Sequence, residues 1–278
     1  MIQRRFKQVD VFTSVPYLGN PVAVVLDADG LTSAQMQRIA SWTNLSETTF
    51  VCRPTHAEAD YLLRIFNPVN EMAFAGHPTI GSAHALLTSG YVPKRPGWLV
   101  QECGAGLVQL NTEQEGVRIA LPAARMSGID AASQQALEQA LGAPLLQAPL
   151  TVNLGIAWLT GQVASGALLR GLKPDMSAIA DLSRRLGISG VTVFGLDGAT
   201  VEVRSFAPHE GTPEDPVCGS GNGAVAYFLR ELRGAIDYPA RQGRCVGRDG
   251  NLTISYDADG TIWLGGRAVT CIDGSITA

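Results

Sequence analysis

Residues 214–221 read Glu-Asp-Pro-Val-Cys-Gly-Ser-Gly, and an apolar segment, residues 224–229, follows them. The acid, the proline and the glycines predict a polar turn, and the apolar segment predicts a helix. A similar stretch occurs earlier, where residues 76–83 read Gly-His-Pro-Thr-Ile-Gly-Ser-Ala. Aligning Pro78 with Pro216 places a glycine on a glycine, a serine on a serine and a histidine on an aspartate.

The segments that precede the two stretches also match. Arg-Ile-Phe-Asn-Pro at residues 64–68 precedes the first, and Arg-Ser-Phe-Ala-Pro at residues 204–208 precedes the second. Two copies with so long a period indicate an internal duplication and not a solenoid of short repeats. We therefore expect two related half-chains, each with a polar loop that leads into a helix.

The composition is that of a globular protein. The chain has 278 residues, of which 46% are hydrophobic, and this suits one large domain or two of ordinary size. Its net charge of −4 comes from acidic and basic residues mixed along the chain, so nucleic acid is not an expected partner. We expect no membrane span and no signal peptide, because long apolar runs are missing.

The cysteines suggest free thiols. They are odd in number and widely scattered, and none forms a C-x-x-C pair: Cys52, Cys103, Cys218, Cys245 and Cys271. This pattern favours reduced thiols in a cytoplasmic protein over a disulfide framework or a zinc site. His77 and His84 have no third ligand at a convincing spacing, so we expect no metal.

Periodicity and capping signals predict many short strands and few helices. Thr32 and Gln35 form a capping box, and Asp175 and Gly187 bracket another helix. The expected helices cover about residues 32–42, 79–87, 134–141, 175–186 and 219–232. The expected strands are residues 9–13, 21–26, 48–52, 61–66, 99–102, 106–111, 117–121, 150–154, 157–160, 191–194, 200–206, 252–256 and 261–264.

The strongest linker candidate is the segment 122–130. It divides the chain into a first half, residues 1–124, and a second half, residues 125–278. The last strand, about residues 266–278, is a candidate to return to the first half. The short strands are typical of a curled sheet in an α+β protein more than of a βαβ series.

Each Gly-Ser turn stands where a helix is expected to begin. The first N–H groups of a helix lack partners and carry partial positive charge, so a carboxylate can bind there, and glycine allows a close approach. At one turn alone, these residues would serve only to turn and cap the chain. Because the turns match, we interpret Gly76, Gly81, Gly219 and Ser220 as substrate-binding positions.

His77 and Asp215 occupy aligned positions before the two predicted helices. A histidine titrates near neutrality, and a carboxylate beside it would favour its charged form. Such a pair could bind an amino-acid-like ligand or exchange protons with it. For either residue alone, a role in capping a loop or preceding a proline explains the sequence equally well.

Two further residues could carry chemistry. Glu47 lies in a polar loop between a helix and an apolar strand, where catalytic groups are common, although the residue types alone favour a solvated turn residue. Cys218 directly precedes Gly219, and a thiol at a helix start can have a lowered pKa, whereas most lone cysteines are small buried apolar residues. Ile80 stands at the aligned position in the first half, which excludes a mechanism with two thiols.

With these motifs the chain resembles, over nearly its whole length, the PhzF-like phenazine biosynthesis isomerases of the diaminopimelate-epimerase-like superfamily. The motifs are Gly19-Asn20-Pro21, Asn44-Leu45-Ser46-Glu47-Thr48, Phe74-Ala75-Gly76-His77-Pro78-Thr79 with Gly81, and Glu214-Asp215-Pro216 with Gly219-Ser220. The resemblance implies two pseudo-twofold-related domains, each a curled mixed sheet wrapped around a central helix, with the site between them. It also implies a homodimer and no cofactor.

The resemblance also implies roles for single residues. The family's glutamate in its Leu-Ser-Glu motif maps to Glu47, as the general acid/base that moves a proton between carbons. The family's substrate-positioning histidine, aspartate and serine map to His77, Asp215 and Ser220. In the phenazine enzyme the substrate is trans-2,3-dihydro-3-hydroxyanthranilate. We therefore expect a cofactor-independent isomerase of a small carboxylate-bearing substrate, with Glu47 as its catalyst.

Two departures from the family pattern keep alternatives open. Val217-Cys218 replaces the usual Ala-Thr, and it places a thiol where the superfamily's epimerases and proline racemases carry their second catalytic cysteine. A strand motif is also altered, at residues 102–106. One alternative is an epimerase or dehydratase of an amino or imino acid that uses Cys218 alone. The other is a non-catalytic dimeric module that binds a small acid.

Overall fold

A computed structural model describes residues 2–113 and 116–278 of the chain. The chain divides into two compact units. Unit 1 comprises Met1–Ala120 and Gly265–Ala278, and unit 2 comprises Leu121–Leu264. Both ends of the chain therefore belong to unit 1, and unit 2 is a single continuous segment.

Most elements are short strands, as the sequence predicts. The helices are α1 (Ser33–Thr43), α2 (Gly76–Leu87), α3 (Ala131–Leu141), α4 (Gly166–Gly171), α5 (Met176–Leu186) and α6 (Gly219–Arg233). The strands are β1 (Gln3–Val11), β2 (Asn20–Val25), β3 (Thr48–Cys52), β4 (Tyr61–Phe66), β5 (Glu71–Met72), β6 (Trp98–Cys103), β7 (Gly106–Asn111), β8 (Val117–Ala120), β9 (Arg125–Gly128), β10 (Leu150–Asn153), β11 (Ala157–Gln162), β12 (Gly190–Asp197), β13 (Thr200–Ala207), β14 (Thr212–Asp215), β15 (Tyr238–Gln242), β16 (Gly250–Tyr256), β17 (Ile262–Gly266) and β18 (Ala268–Thr277).

Strand pairing shows the duplication directly. In unit 1, β1 pairs antiparallel with β2, β2 lies parallel to β3, β3 is antiparallel to β4, β4 is parallel to β6, and β6 is antiparallel to β7. In unit 2, β10, β11, β12, β13, β15 and β16 repeat this order with the same directions. Each unit also adds a short strand to its fourth strand, β5 on β4 and β14 on β13. The two units therefore share one topology, and the predicted α+β class is confirmed.

A central helix follows the short added strand in each unit. α2 packs against β1, β2, β3 and β4 of unit 1, and α6 packs against β10, β11 and β12 of unit 2. Nine residues of α2 are buried and they cover every face of the helix, which is the pattern of a helix enclosed by a protein core. No helix in the described part of the chain is long and apolar enough to cross a membrane.

Small residues allow the sheet to close on α2. A Cβ atom at Gly81 would lie 2.4 Å from the Val22 Cγ1 atom and 2.9 Å from the Val11 Cγ2 atom. Such distances are shorter than van der Waals contact, so a larger residue would force the helix and strands apart. Gly81 therefore packs against β1 and β2 in the second turn of α2, away from the helix start. The prediction that it binds substrate does not fit this placement.

Gly81 lies in the second turn because α2 begins earlier than the sequence predicts. The sequence predicts a helix from about residue 79, but α2 begins at Gly76, so His77 and Pro78 are its second and third residues. Proline is tolerated in a first turn, because the N–H it lacks would have no partner there. α6 begins at Gly219, and Asp215 remains in β14. His77 and Asp215 are therefore aligned in sequence but differ in structure.

Other local predictions are confirmed. The capping box of Thr32 and Gln35 is present at α1, and α5 begins after Asp175 and ends at Gly187 in the left-handed conformation. The predicted linker, residues 122–130, is in contrast part of unit 2, because it contains β9, which pairs with β10. The sequence patterns do not predict α4, β5, β9, β14 or β15, whereas the predicted last strand, about residues 266–278, contains β18.

An arginine–glutamate clamp holds the added strand in both units. In unit 2, Arg204 Nε and Nη2 donate to Glu214 Oε1 and Oε2 at 2.9 and 2.7 Å. In unit 1, Arg64 makes the same bidentate contact with Glu71, at 2.7 and 2.6 Å. The unit 2 pair is buried, and Arg204 Nη1 also donates to two backbone carbonyl groups. The clamp therefore fixes β14, the strand that ends at Asp215.

The two clamps predict a measurable difference in stability. Arg204→Met leaves the Glu214 carboxylate buried without its partner, so we expect a loss of about 3–5 kcal/mol in the free energy of unfolding. Arg64→Met is the matched control, because Glu71 is 42% exposed and water can replace the arginine, for a loss of about 0–1 kcal/mol. Urea unfolding measures both. Equal losses would contradict this account of the buried clamp.

Candidate active site

Glu47 lies in the loop between α1 and β3. α1 ends at Asn44, which is left-handed with φ 55°, and the chain then turns toward β3. The Glu47 carbonyl oxygen accepts the Ala23 N–H at 3.4 Å, one residue before the parallel pairing of β2 with β3 begins. The side chain of Glu47 is only 14% exposed. It is therefore a buried carboxyl group on an anchored loop, and not a solvated turn residue.

His77 is the partner of Glu47. Its Nε2 atom lies 3.2 Å from Glu47 Oε2, and its ring also hydrogen-bonds the backbone of Pro21. Proline has no N–H, so the Pro21 carbonyl oxygen accepts a proton from the ring. Burial lowers the pKa of His77 to about 3, and the Pro21 hydrogen bond opposes this only partly. The contact with Glu47 would be an ion pair only with a charged imidazole, and burial favours the neutral ring at neutral pH.

The geometry of this pair has a chemical consequence. A neutral imidazole has one ring proton, and the Pro21 carbonyl accepts it, so Nε2 presents a lone pair to Glu47. Two acceptor atoms at 3.2 Å repel each other unless a proton lies between them. The pair is therefore suited to hold one proton and to pass it on. Within unit 1, the carboxyl group beside His77 is that of Glu47, and burial favours the neutral form of the ring.

Asp215 ends β14 in unit 2. Its Oδ1 atom accepts the Val217 N–H at 2.9 Å, which closes a tight turn toward α6. Burial raises the pKa of Asp215 to about 6, and the nearby Glu214 adds to the rise, while hydrogen bonds from Val217 and Cys218 oppose it. A carboxyl group with this pKa changes charge close to neutral pH.

Cys218 and Ser220 follow in the same turn. Cys218 Sγ accepts the Gly221 N–H at 3.2 Å and lies 3.5 Å from Ser220 Oγ. Burial raises the pKa of Cys218, and the Asp215 charge raises it further, so the thiol stays protonated. Ser220 Oγ accepts the Trp158 indole N–H at 3.0 Å, which leaves its own O–H to donate elsewhere.

The glycines at the two helix starts have different surroundings. Gly76 opens α2, whose N-cap, Ala75, offers no side-chain cap, and Gly219 opens α6, which Cys218 caps. The amide groups of Gly76 and Gly219 therefore lie in first turns, where an anion can bind. Gly81 does not.

The sequence motifs do not point to two buried polar residues of unit 2, Gln242 and Asn222. Gln242 of β15 is fully buried and hydrogen-bonds both ends of the turn from Asp215 to Cys218. The Nδ2 atom of Asn222, on α6, donates a hydrogen bond to Gln242 Oε1. The alternation along β15 predicts that Gln242 is buried, because it follows Tyr238 and Ala240 at every second position.

No three side chains of His, Cys, Asp or Glu lie close enough to hold a metal ion in the ranges 2–113 and 116–278. All five cysteines are free thiols, as their spacing predicts.

The sequence of residues 9–274 matches the profile of the family described as phenazine biosynthesis-like protein. The chain belongs to this family. It is 39% identical over 292 aligned residues, 99% of each chain, to the Antisense-enhancing sequence 1 protein of Schizosaccharomyces pombe. It is 36% identical over 236 residues to a trans-2,3-dihydro-3-hydroxyanthranilate isomerase of Pseudomonas fluorescens, covering 83% of this chain and 81% of that one.

Solved structures of the family have the same fold. The Bacillus anthracis phenazine biosynthesis protein of the PhzF family superposes with a TM-score of 0.87 at 24% identity, over the whole of both chains. At this identity the match shows the fold alone. It agrees with the expected α+β fold of curled mixed sheets.

The buried histidine predicts a pH dependence of stability. The pKa of His77 is about 3 in the folded protein against 6.5 as its ordinary value, so the unfolded chain binds the proton first as the pH falls. Stability is therefore lost from pH 6.5 downward, by about 2 kcal/mol at pH 5. We expect His77→Gln to lack this loss, so that the wild type loses about 2 kcal/mol more than the variant between pH 7 and 5.

Urea unfolding at several pH values measures this difference. His56→Gln is the control, because His56 is exposed, and its curve should run parallel to that of the wild type. A His77→Gln curve that is also parallel would show that His77 is not buried as a neutral ring. A wild type that gains stability toward pH 5 relative to His77→Gln would indicate an ion pair with Glu47.

Proposed function

We propose that this protein is a cofactor-independent isomerase that moves a proton between carbons of a small carboxylate-bearing substrate. The observation that carries the proposal is the contact of 3.2 Å between the buried Glu47 carboxyl group and the neutral His77 ring. Family membership supports the reaction class, since relatives that are about 36% identical are named trans-2,3-dihydro-3-hydroxyanthranilate isomerases. We propose a compound of that kind as the substrate.

Glu47 acts as the general acid/base in this proposal. An isomerisation of this type removes a proton next to an unsaturated system and returns one to another carbon. A single carboxyl group can do both, because it accepts a proton in one step and donates it in the next. Burial keeps water from competing for that proton, and His77 Nε2 lies 3.2 Å from Glu47 Oε2, where the two atoms can share it.

His77, Asp215 and Ser220 bind the substrate in this proposal, together with the amide groups of Gly76 and Gly219. A carboxylate of the substrate suits helix-start amide groups. The Ser220 hydroxyl keeps its O–H available because Trp158 occupies one of its acceptor positions. Asp215, with a pKa of about 6, offers a carboxylate to an amino or hydroxyl group of the substrate above that pH.

The main test is Glu47→Gln, which keeps the shape of the side chain but cannot accept a proton. We expect turnover of trans-2,3-dihydro-3-hydroxyanthranilate to fall by about 10²–10⁴-fold, the usual contribution of a general acid/base, with substrate binding retained. Proton NMR of the reaction measures turnover, and calorimetry measures binding.

Glu231→Gln is the matched control, because Glu231 is exposed on the last turn of α6. It should turn over substrate at the wild-type rate. Wild-type turnover by Glu47→Gln would refute the role of Glu47. No turnover by the wild-type protein would refute the proposed substrate.

Cys218 gives a second test, which separates this proposal from a thiol-dependent epimerase. The Cys218 thiol is buried and stays protonated, so we expect Cys218→Ala to lose no more than about tenfold in kcat, or about 1.4 kcal/mol. Iodoacetamide should alkylate the exposed Cys245 first and leave activity intact. An inactive Cys218→Ala variant that remains folded would favour the thiol mechanism.

A further inference from the structure

Gln242 makes an unusual set of contacts around Asp215. It lies on β15, the strand that follows α6 in the chain, and it is fully buried. Its Nε2 atom donates to the Asp215 carbonyl oxygen at 3.0 Å. Its Oε1 atom accepts the Cys218 N–H at 3.1 Å and the Asn222 Nδ2–H at 2.7 Å. One side-chain amide therefore holds both ends of the turn 215–218.

Asn222 completes this arrangement. Its Nδ2 atom also donates to the Cys218 carbonyl oxygen at 2.9 Å, so the N–H and C=O of Cys218 are both fixed by side chains. Inside the turn, the Asp215 carboxylate accepts the Val217 N–H. The direction of that carboxylate depends on the backbone of the turn, and the backbone depends on Gln242.

We propose that Gln242 is a positioning residue for the reaction, which fixes the Asp215 carboxyl group against the start of α6. The inference rests on the proposed function, because it assigns Gln242 to the part of the machinery that binds substrate through Asp215. Gln242 acts through Asp215 and the turn.

The other unit provides a comparison. Gln101 lies on β6, the strand that follows α2, and it is also fully buried. Its Oε1 atom accepts the Tyr61 O–H at 3.0 Å, and its Nε2 atom donates to Thr79 Oγ1 at 3.1 Å. Gln101 therefore ties a strand to a helix and touches no acid. Gln101 is not the register equivalent of Gln242, because Tyr61 pairs with Gln101 in unit 1 and the aligned Val201 pairs with Ala240 in unit 2. It is a comparable buried glutamine on the corresponding strand, and its two hydrogen bonds go to a tyrosine and a threonine.

Several charged and titratable groups lie around Asp215 and act on its pKa. Glu214 on β14 raises the pKa of Asp215, and Glu214 itself is paired with Arg204 on β13 through the clamp. The Cys218 thiol faces Asp215 from the turn and donates a hydrogen bond. On β15, the neighbour of Gln242 is Arg241, which pairs with Asp249. Burial thus remains the main cause of the raised pKa of Asp215.

Two substitutions at one position should therefore shift Asp215 in opposite directions. Gln242→Leu removes all three hydrogen bonds and loosens the turn, so water reaches the carboxyl group and its pKa falls toward the ordinary value of 3.8, by at least about one unit. Gln242→Glu keeps the shape but adds a second carboxyl group, and it should raise the apparent pKa by about one unit or more.

The pH profile of kcat/KM measures these shifts in the pKa of Asp215, because its acid limb should lie near pH 6 in the wild type. We expect Gln242→Leu to move the limb down and to lose about 10–100-fold in kcat/KM at pH 7.5, mainly through KM. Gln242→Glu should move it up. A role in folding alone would lower the melting temperature in both variants and leave the limb in place, and that result would overturn the inference.

Gln101→Leu and Gln101→Glu are the matched controls. They remove an equally buried amide or add an equally buried carboxyl group, but they should not move the limb assigned to Asp215. A shift of the same size in these controls would overturn the inference. If Gln242→Leu does not fold, the upward shift in the isosteric Gln242→Glu variant decides.

Carbon NMR titration of the Asp215 carboxyl group separates this inference from the proposed function. It measures the pKa of Asp215 without turnover. If the wild type does not convert substrate, the proposed function fails. An Asp215 titration that is the same in the wild type and in both Gln242 variants contradicts the positioning role, whatever the turnover.

Discussion

Enclosing most of a helix within each unit is the constraint on which the rest of this structure depends. α2 and α6 are buried on nearly every face, so the polar groups at their first turns lose contact with water as well. Close approach of the sheets requires small residues, and a Cβ atom at Gly221 would lie only 2.5 Å from Ser205 Oγ. The turns that lead into the helices must then be held by specific contacts. The Arg204–Glu214 clamp and the Gln242 amide provide those contacts in unit 2.

Burial acts on the candidate acids and bases in opposite directions for one reason. It disfavours whichever form is charged, so it lowers the pKa of His77 to about 3 and raises that of Asp215 to about 6. Near neutral pH, Asp215 is therefore close to its titration midpoint, and His77 is a fixed neutral ring. The same effect keeps the Cys218 thiol protonated at a helix start, where an exposed cysteine would ionise more easily. Proton transfer is thus better matched to a carboxyl group than to the thiol.

The sequence predicted much of the fold because its signals are local. Capping residues such as Thr32 and Asp175 mark helix starts, and runs of β-branched residues mark strands. It failed where tertiary contacts decide. α2 begins at Gly76 and not at about residue 79, because the first turn of a helix tolerates a proline. Gly81 therefore lies in the second turn, where it packs against the strands. The contact between Glu47 and His77 has no local signal, since the sheet brings together residues that are distant in the chain. The homodimer and the cytoplasmic location stay predictions.

We propose that the Glu47 carboxyl group carries the proton between carbons of the substrate. A crystal structure with a non-reactive analogue of trans-2,3-dihydro-3-hydroxyanthranilate tests it most directly. Reacting atoms must lie about 3–3.5 Å apart in a productive complex. We expect a Glu47 oxygen at that distance from the carbon that gains or loses the proton, with His77 still in contact with the carboxyl group. An analogue bound with Cys218 Sγ at the reacting carbon, and Glu47 out of reach, would contradict it.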